Sequence, residues 1–382
     1  MFSFQSDGTE DGVSVSMPVS WNAHTSKGRR TYSQENRSNR LKVLYPLKDL
    51  RLLMLIFLSG SFVGCQTTQF RDGGEVKLGG ETQVYRARGA QNDLPVLLFL
   101  HGGPGVPEMP LANVTKGLEE EFIVVHWDQR GTGKSYRSSD LPEVMTVDQF
   151  IADAVELTDF LRRRYQREKI HLVGFSFGSL VGINAVSQFP EKYESFTSIA
   201  QFVNLAASEG ALLAEGKAYA KSKGDSKGVE ELGMFGSPLD DTRAQAGEIN
   251  ELLATQHKAK IPNRFGVVDY LLEATFGGVY TPIEVTKAIR GRKFSGDSLE
   301  EELYKIDLRK KIHTLNVPTT FLLGRWDTLL SSTVANDYIY SLSTPEGRRV
   351  VWFEKSGHPM HLEQPLKFVE VMREVKASTS AR

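Results

Sequence analysis

The segment Gly174-Phe175-Ser176-Phe177-Gly178 constrains this 382-residue chain more than any other. The run before it, Lys169-Ile170-His171-Leu172-Val173, reads as a buried strand that delivers Ser176 to a sharp turn. Such a turn holds its central residue in a strained backbone conformation, and a glycine two positions to either side lets strand and following helix pass without a Cβ clash. A strand-to-helix turn of this form presents a serine hydroxyl as a nucleophile. Taken alone, the same pattern also describes a glycine-rich turn whose serine caps a helix. The surrounding sequence decides between the two.

Upstream, the apolar run Pro95-Val96-Leu97-Leu98-Phe99-Leu100 empties into His101-Gly102-Gly103-Pro104-Gly105. Acyl transfer needs main-chain N–H donors aimed at a developing oxyanion, and a loop nearly free of side chains can bring amides that close. The amides of Gly103 and Phe177 are assigned to that task. Downstream, Pro318-Thr319-Thr320-Phe321-Leu322-Leu323 reads as a strand ending at Gly324-Arg325-Trp326-Asp327, and Arg349-Val350-Val351-Trp352-Phe353 leads to Lys355-Ser356-Gly357-His358. A serine, a carboxylate and an imidazole thus follow three strands in the order Ser176, Asp327, His358, the order of an α/β-hydrolase triad. Singly, Asp327 reads as a turn residue and His358 as a loop histidine; jointly they form a nucleophile, an orienting acid and a base.

Other polar residues are weighed against these. His361 is assigned a structural or supporting place near the last helix, and His126 and His171 read as satisfied strand histidines. Asp128, after Phe122-Ile123-Val124-Val125, reads as a turn-stabilising acid, with Arg130 fixing nearby carbonyls or carboxylates. Gly131-Thr132-Gly133-Lys134-Ser135 is similar to a phosphate loop but lacks its spacing, because position 128 is Asp.

Together, His101 to Gly105, Asp128-Gln129-Arg130-Gly131 with Gly133 and Ser135, the serine turn, Gly324 to Asp327, and Ser356-Gly357-His358 resemble the proline iminopeptidase branch of the α/β-hydrolases. The resemblance runs from about residue 75 to about residue 375. It implies an α/β-hydrolase core carrying an inserted helical cap, no cofactor, and cleavage of small amide or ester substrates, typically at an N-terminal proline. The family's usual Gly-Gly-Ser-Trp-Gly is replaced here by phenylalanines on both sides of Ser176, which changes the implied pocket wall.

The coarse architecture agrees. Thr146 to Tyr165 places Val147, Phe150, Ile151, Ala154, Leu157, Phe160 and Leu161 at helical spacing, with Thr146 as N-cap. Strands alternating with such helices predict a mainly parallel sheet covered on both faces, with Gly74 to Gly89 as an antiparallel edge hairpin. The core is assigned to residues 75–203 and 312–378. The intervening residues 204–311 exceed any ordinary connection and are assigned to the cap, with helices over Ala206–Leu232 and Asp241–His257 and a break at Gly233–Pro238. An aminopeptidase must hold a free ammonium, and Glu209, Glu215, Glu230, Glu231 and Glu273 are the acidic candidates in this region. Glutamates of helices usually face solvent, so no specificity residue is chosen among them.

The N-terminal region concerns location. Leu52 to Gly64 is a mostly apolar run preceded by Lys42, Lys48 and Arg51 and followed by Cys65, too short to span a bilayer comfortably and suited to the apolar part of an export signal. Phe62-Val63-Gly64-Cys65 resembles a bacterial lipoprotein cleavage box with Phe in place of the usual Leu, which makes Cys65 a candidate lipidation site; a buried helix or an uncleaved anchor is the alternative. Residues 1–50, with eight serines in the first forty positions and little apolar periodicity, read as a disordered or wrongly assigned extension, and residues 51–65 as the signal segment. Arg29-Arg30 lies too far from the apolar run to form a twin-arginine signal. The expected location is the cell envelope, lipid-anchored or periplasmic, with the cytoplasm as the alternative.

A net charge of −1 supplies no basic field for nucleic acid, and no metal-binding motif stands out. The expected partner is a small molecule or short peptide, with possible membrane anchoring through Cys65. The function these features predict is a serine hydrolase acting on small amides. A carboxylic ester or lactone hydrolase with the same triad is the alternative, and a non-catalytic ligand receptor on the same scaffold is the more remote one.

Overall fold

The computed structural model describes residues 70–137, 145–235 and 243–380. The extension 1–50 and the segment 51–65 with Cys65 lie outside the described residues. Eight strands form one sheet: β1 (Phe70–Leu78), β2 (Glu81–Gly89), β3 (Val96–Leu100), β4 (Ile123–Asp128), β5 (Ile170–Phe175), β6 (Tyr193–Ile199), β7 (Thr319–Gly324) and β8 (Arg348–Phe353), in the order β1-β2-β4-β3-β5-β6-β7-β8. β1 and β2 form the antiparallel edge hairpin, which begins earlier than residue 75, and β2 also runs antiparallel to β4. All remaining pairs are parallel.

The inner strands are apolar on both faces because helices cover both. Along β3, Leu98 and Leu100 join a core that includes Phe150, Leu157, Phe177 and Val181. Leu97 and Phe99 point the other way, toward Leu118, Phe368 and Met372. Alternation thus divides one continuous apolar run between two layers. Helix α1 (Val147–Arg164) starts where the spacing predicts: Thr146 accepts the Gln149 N–H, and the Gln149 side chain accepts the Thr146 N–H.

Helix α2 (Phe177–Gln188) follows the serine turn directly. Between β6 and β7 the chain inserts α3 (Leu205–Ser222), α4 (Ser226–Gly233), α5 (Arg243–His257), α6 (Val267–Phe276) and α7 (Pro282–Lys305). The helix-favouring stretch Ala206–Leu232 holds two helices. Gly224 takes a left-handed φ of +67° and Asp225 accepts the Gly228 N–H, so a stop and a new start fall inside that span. After β7 come α8 (Ser332–Ser341), the short α9 (Met360–Glu363) and α10 (Pro365–Ser380).

Candidate active site

Parallel register brings the C-terminal ends of the inner strands to one rim. Leu100 lies opposite Gly174, Ile199 opposite Leu322, and Gly324 opposite Phe353. Each predicted site residue follows one of these ends.

Ser176 has φ 53° and ψ −114°, a left-handed conformation that costs a non-glycine residue on the order of 1–3 kcal/mol and is held only by its surroundings. The hold is visible. The Ser176 N–H donates to the Ile199 carbonyl at 2.9 Å, and the Ser179 N–H and hydroxyl both return to the Ser176 carbonyl. The flanking glycines are required by space: a Cβ on Gly174 would stand 2.4 Å from the Gly178 carbonyl oxygen, and one on Gly178 would stand 2.1 Å from that of Leu100.

The three residues read from the sequence meet. The Ser176 hydroxyl lies 2.9 Å from His358 Nε2, and His358 Nδ1 lies 2.8 Å from Asp327 Oδ2. The other Asp327 oxygen accepts the Leu329 and Leu330 N–H groups at 2.8 and 3.0 Å, which fixes the carboxylate. With the Nδ1–H donating to the carboxylate, Nε2 is left as an acceptor facing the serine. Such a line can remove a proton from Ser176 and return it to a leaving group.

Gly102 packs against the Phe175 ring and the Ser176 Cβ, so the loop carrying Gly103 borders the serine, and Phe177 opens the helix behind it. His101 fastens this loop to the neighbouring strand end. The Gln129 N–H donates to its Nε2 at 3.2 Å, and its Nδ1 therefore donates to the Gly102 carbonyl at 2.9 Å. Burial pushes the His101 imidazole down to about 4, so it stays neutral while making both bonds.

The competing residues have other partners. Asp128 is fully buried and accepts the Lys134 N–H and the Tyr280 hydroxyl; burial pushes its carboxyl up to about 7, with the Tyr280 and Lys134 hydrogen bonds pulling the opposite way. Arg130 pairs in a fork with Asp153 of α1 and also reaches Glu81. His171 bonds the Ser195 hydroxyl, and His126 stacks on Phe99 with its imidazole pushed down to about 3 by burial. His361 is buried against Phe175 and bonds Glu108 at 3.0 Å, as a supporting residue would.

Two contributors had no sequence signal. Glu108 is one. Glu363 is the other: it accepts the Gly357 N–H at 2.7 Å and the Phe265 N–H at 3.4 Å, bracing the loop that carries His358. Both act across long sequence separations, and Glu363 looks like any acid entering a helix. Among the five acidic candidates, Glu209 is buried, bonded to Tyr304 of α7, while Glu215 reaches Ser331. Among the described residues, no group of three or more His, Cys, Asp or Glu side chains is placed to hold a metal ion.

The family described as alpha/beta hydrolase fold matches residues 95–217, the stretch that carries β3, β5 and the serine turn. The chain has the alpha/beta hydrolase fold. It is 28 % identical over 299 residues to the probable aminopeptidase YbaC of Bacillus subtilis (strain 168), covering 78 % of this chain and 94 % of that one. It is 22 % identical over 325 residues to the proline iminopeptidase of Lactobacillus crispatus (strain ST1), covering 78 % and 96 %. Among solved structures it is similar to a proline iminopeptidase-related protein from Thermus thermophilus, with a TM-score of 0.54, 21 % identity, and coverage of 81 % and 99 %. The resemblance read from the motifs and these relatives agree on the same branch of α/β-hydrolase enzymes.

Proposed function

We propose that this enzyme is a serine aminopeptidase of the proline iminopeptidase kind, cleaving small amide or peptide substrates. The observation that carries the reading is the hydrogen-bonded line from Ser176 through His358 to Asp327 at three strand ends. The names of relatives matched over nearly their whole lengths support the substrate class.

In this mechanism, Ser176 Oγ attacks the carbonyl carbon as His358 Nε2 takes the hydroxyl proton, and Asp327 stabilises the resulting imidazolium. The oxyanion receives hydrogen bonds from the main-chain amides of Gly103 and Phe177, worth about 100- to 1,000-fold in rate per donor. Collapse breaks the C–N bond, and His358 returns its proton to the departing amine. Water, deprotonated by His358, then releases the acyl group and restores Ser176.

The inserted helices of residues 204–311 act as the cap and choose the substrate. Glu209 Oε1 accepts the Tyr304 hydroxyl, whereas its buried Oε2 has no hydrogen-bond partner among the described residues. A substrate ammonium is the kind of group that would satisfy that oxygen, which favours an aminopeptidase. Export and anchoring through residues 51–65 and Cys65 complete the proposal, and a cell-envelope location goes with them.

The test is turnover of a prolyl arylamide beside a short-chain aryl ester, with Ser176→Ala as control. Faster prolyl turnover that disappears in the variant supports the aminopeptidase. Ester turnover alone makes the enzyme a carboxylic ester hydrolase, and equal rates in both proteins remove Ser176 from the mechanism.

A further inference from the structure

Helix α6 turns an apolar face outward. Val267, Val268, Leu271, Leu272 and Phe276 recur at i, i+1, i+4, i+5 and i+9, which places them on one side of the helix. They are between 37 and 79 % exposed, and Ile283 on the first turn of α7 is 71 % exposed. Beyond the row the helix is already engaged: Ala274, bordering Val267, is buried, and Tyr270 on the far side donates to the Pro107 carbonyl at 2.9 Å. Single exposed apolar side chains are ordinary, but a contiguous row marks a contact surface.

We propose that this face, formed by α6 and the start of α7, rests on an anionic lipid bilayer. Two observations select lipid as the occupant. The first is where the chain enters the fold. Arg71, next to the first described residue, pairs with Arg88 across the edge hairpin. Arg88 donates to Asn113 Oδ1 at 3.1 Å, and Asn113 Nδ2 donates to the carbonyl of Gly277, the residue after Phe276. The entry point and the end of α6 therefore share one flank of the molecule. Cys65 is five positions before Phe70, so the chain between them reaches no farther than about 17 Å. A bilayer holding Leu52–Gly64 or a lipidated Cys65 would meet this flank.

The second observation is charge. Arg71, Arg86 and Arg88 lie on one face of the hairpin, because Arg86 and Arg88 are two apart on β2 and Arg71 is opposite Arg88. Arg88 is paired with Glu119, while Arg71 is exposed. Arg86 is half-buried, and burial first, then the neighbouring Arg88 and Arg71, lower its guanidinium. On α7, Lys287 and Arg290 follow Ile283 at i+4 and i+7, on the same side of that helix. Cations bordering an apolar row are the pattern of a helix lying among anionic headgroups.

The choice of bilayer side rests on reading residues 51–65 as membrane-directed, and the experiment separates the two ideas. Cys65→Ser removes the sole cysteine of the full chain. Phe276→Cys, Val268→Cys and, as control, Tyr340→Cys on α8 at the far sheet edge are then made singly and labelled with a nitrobenzoxadiazole dye. Vesicles of equal parts phosphatidylglycerol and phosphatidylcholine are added. The dye at 276 and 268 is expected to shift to the blue and to be quenched by spin-labelled acyl chains, with the dye at 340 unchanged. Arg71→Ser is expected to weaken vesicle binding about five-fold, which corresponds to about 1 kcal/mol per cation near an anionic surface. Co-sedimentation with vesicles without a shift at 276 and 268 would mean that segment 51–65 binds lipid while α6 does not, and would overturn the proposal. A shift without vesicles that grows with protein concentration would assign the face to a second copy and overturn it equally.

Discussion

Tyr280, from the inserted helical segment, donates its hydroxyl to Asp128, a fully buried carboxyl at the end of β4. The same oxygen accepts the Lys134 N–H, and Lys134 forms an ion pair with Glu284 of α7. The inserted segment is thus tied to the core through a carboxyl that burial holds near 7.

Because this carboxyl is raised in the folded state, the native protein binds a proton there that the unfolded chain has released. Its contribution to stability is present below the ordinary aspartate value and is lost as pH rises through about 7. In thermal denaturation, the stability of the wild-type protein relative to Asp128→Asn is therefore expected to fall from pH 5 to pH 8, while the buried histidines, lowered in the folded state, push total stability up over the lower part of that range. Tyr280→Phe removes a donor to the charged form, so it is expected to destabilise by about 1–3 kcal/mol at pH 8 and by less at pH 5.

Replacing Ser176 by glycine rather than alanine separates strain from chemistry. Both variants lack the nucleophile, but only glycine is at ease at φ 53°. Calorimetry is expected to find Ser176→Gly more stable than Ser176→Ala by about 1 kcal/mol, with neither turning over substrate.

Asp327→Asn tests the carboxylate. An amide can keep the bonds from the Leu329 and Leu330 N–H groups while no longer fixing the imidazole tautomer. The expected result is a loss in kcat on the order of 10⁴-fold with an unchanged melting temperature.

Glu363 is expected to act through the position of His358. Glu363→Gln retains a carbonyl that can accept the Gly357 N–H, whereas Glu363→Ala leaves that buried donor unpaired, at a cost of about 1–3 kcal/mol. A kcat that falls clearly in the alanine variant and recovers in the glutamine variant, with KM little changed, would fit. Equal loss in both would remove Glu363 from this role.

Ser176, Asp327 and His358 were readable because each follows an apolar run of strand length, so local pattern alone puts them at strand ends. The same pattern exposed the sheet, α1 and its Thr146 cap. What escaped was pairing between distant segments. Asp128 holds the turn at Lys134 as its sequence suggests, but its second partner, Tyr280, lies 152 positions away, and nothing in either neighbourhood encodes the meeting. The supports supplied by His101 and Glu363 were hidden for the same reason. Within the inserted helices the missing detail was local: Gly224 and Asp225 carry the stop and start signals that divide the helix-favouring stretch Ala206–Leu232.

His358 and Ser176 are 182 residues apart in the chain, and His358 belongs to the loop after β8. During synthesis, Ser176 and its turn leave the ribosome long before His358 does, with every inserted helix emerging in between. A chain still being made, or one cut short before β8, has Ser176 but not His358, the base of the proposed mechanism. Under the proposed mechanism, hydrolytic competence is consequently among the last properties this polypeptide acquires.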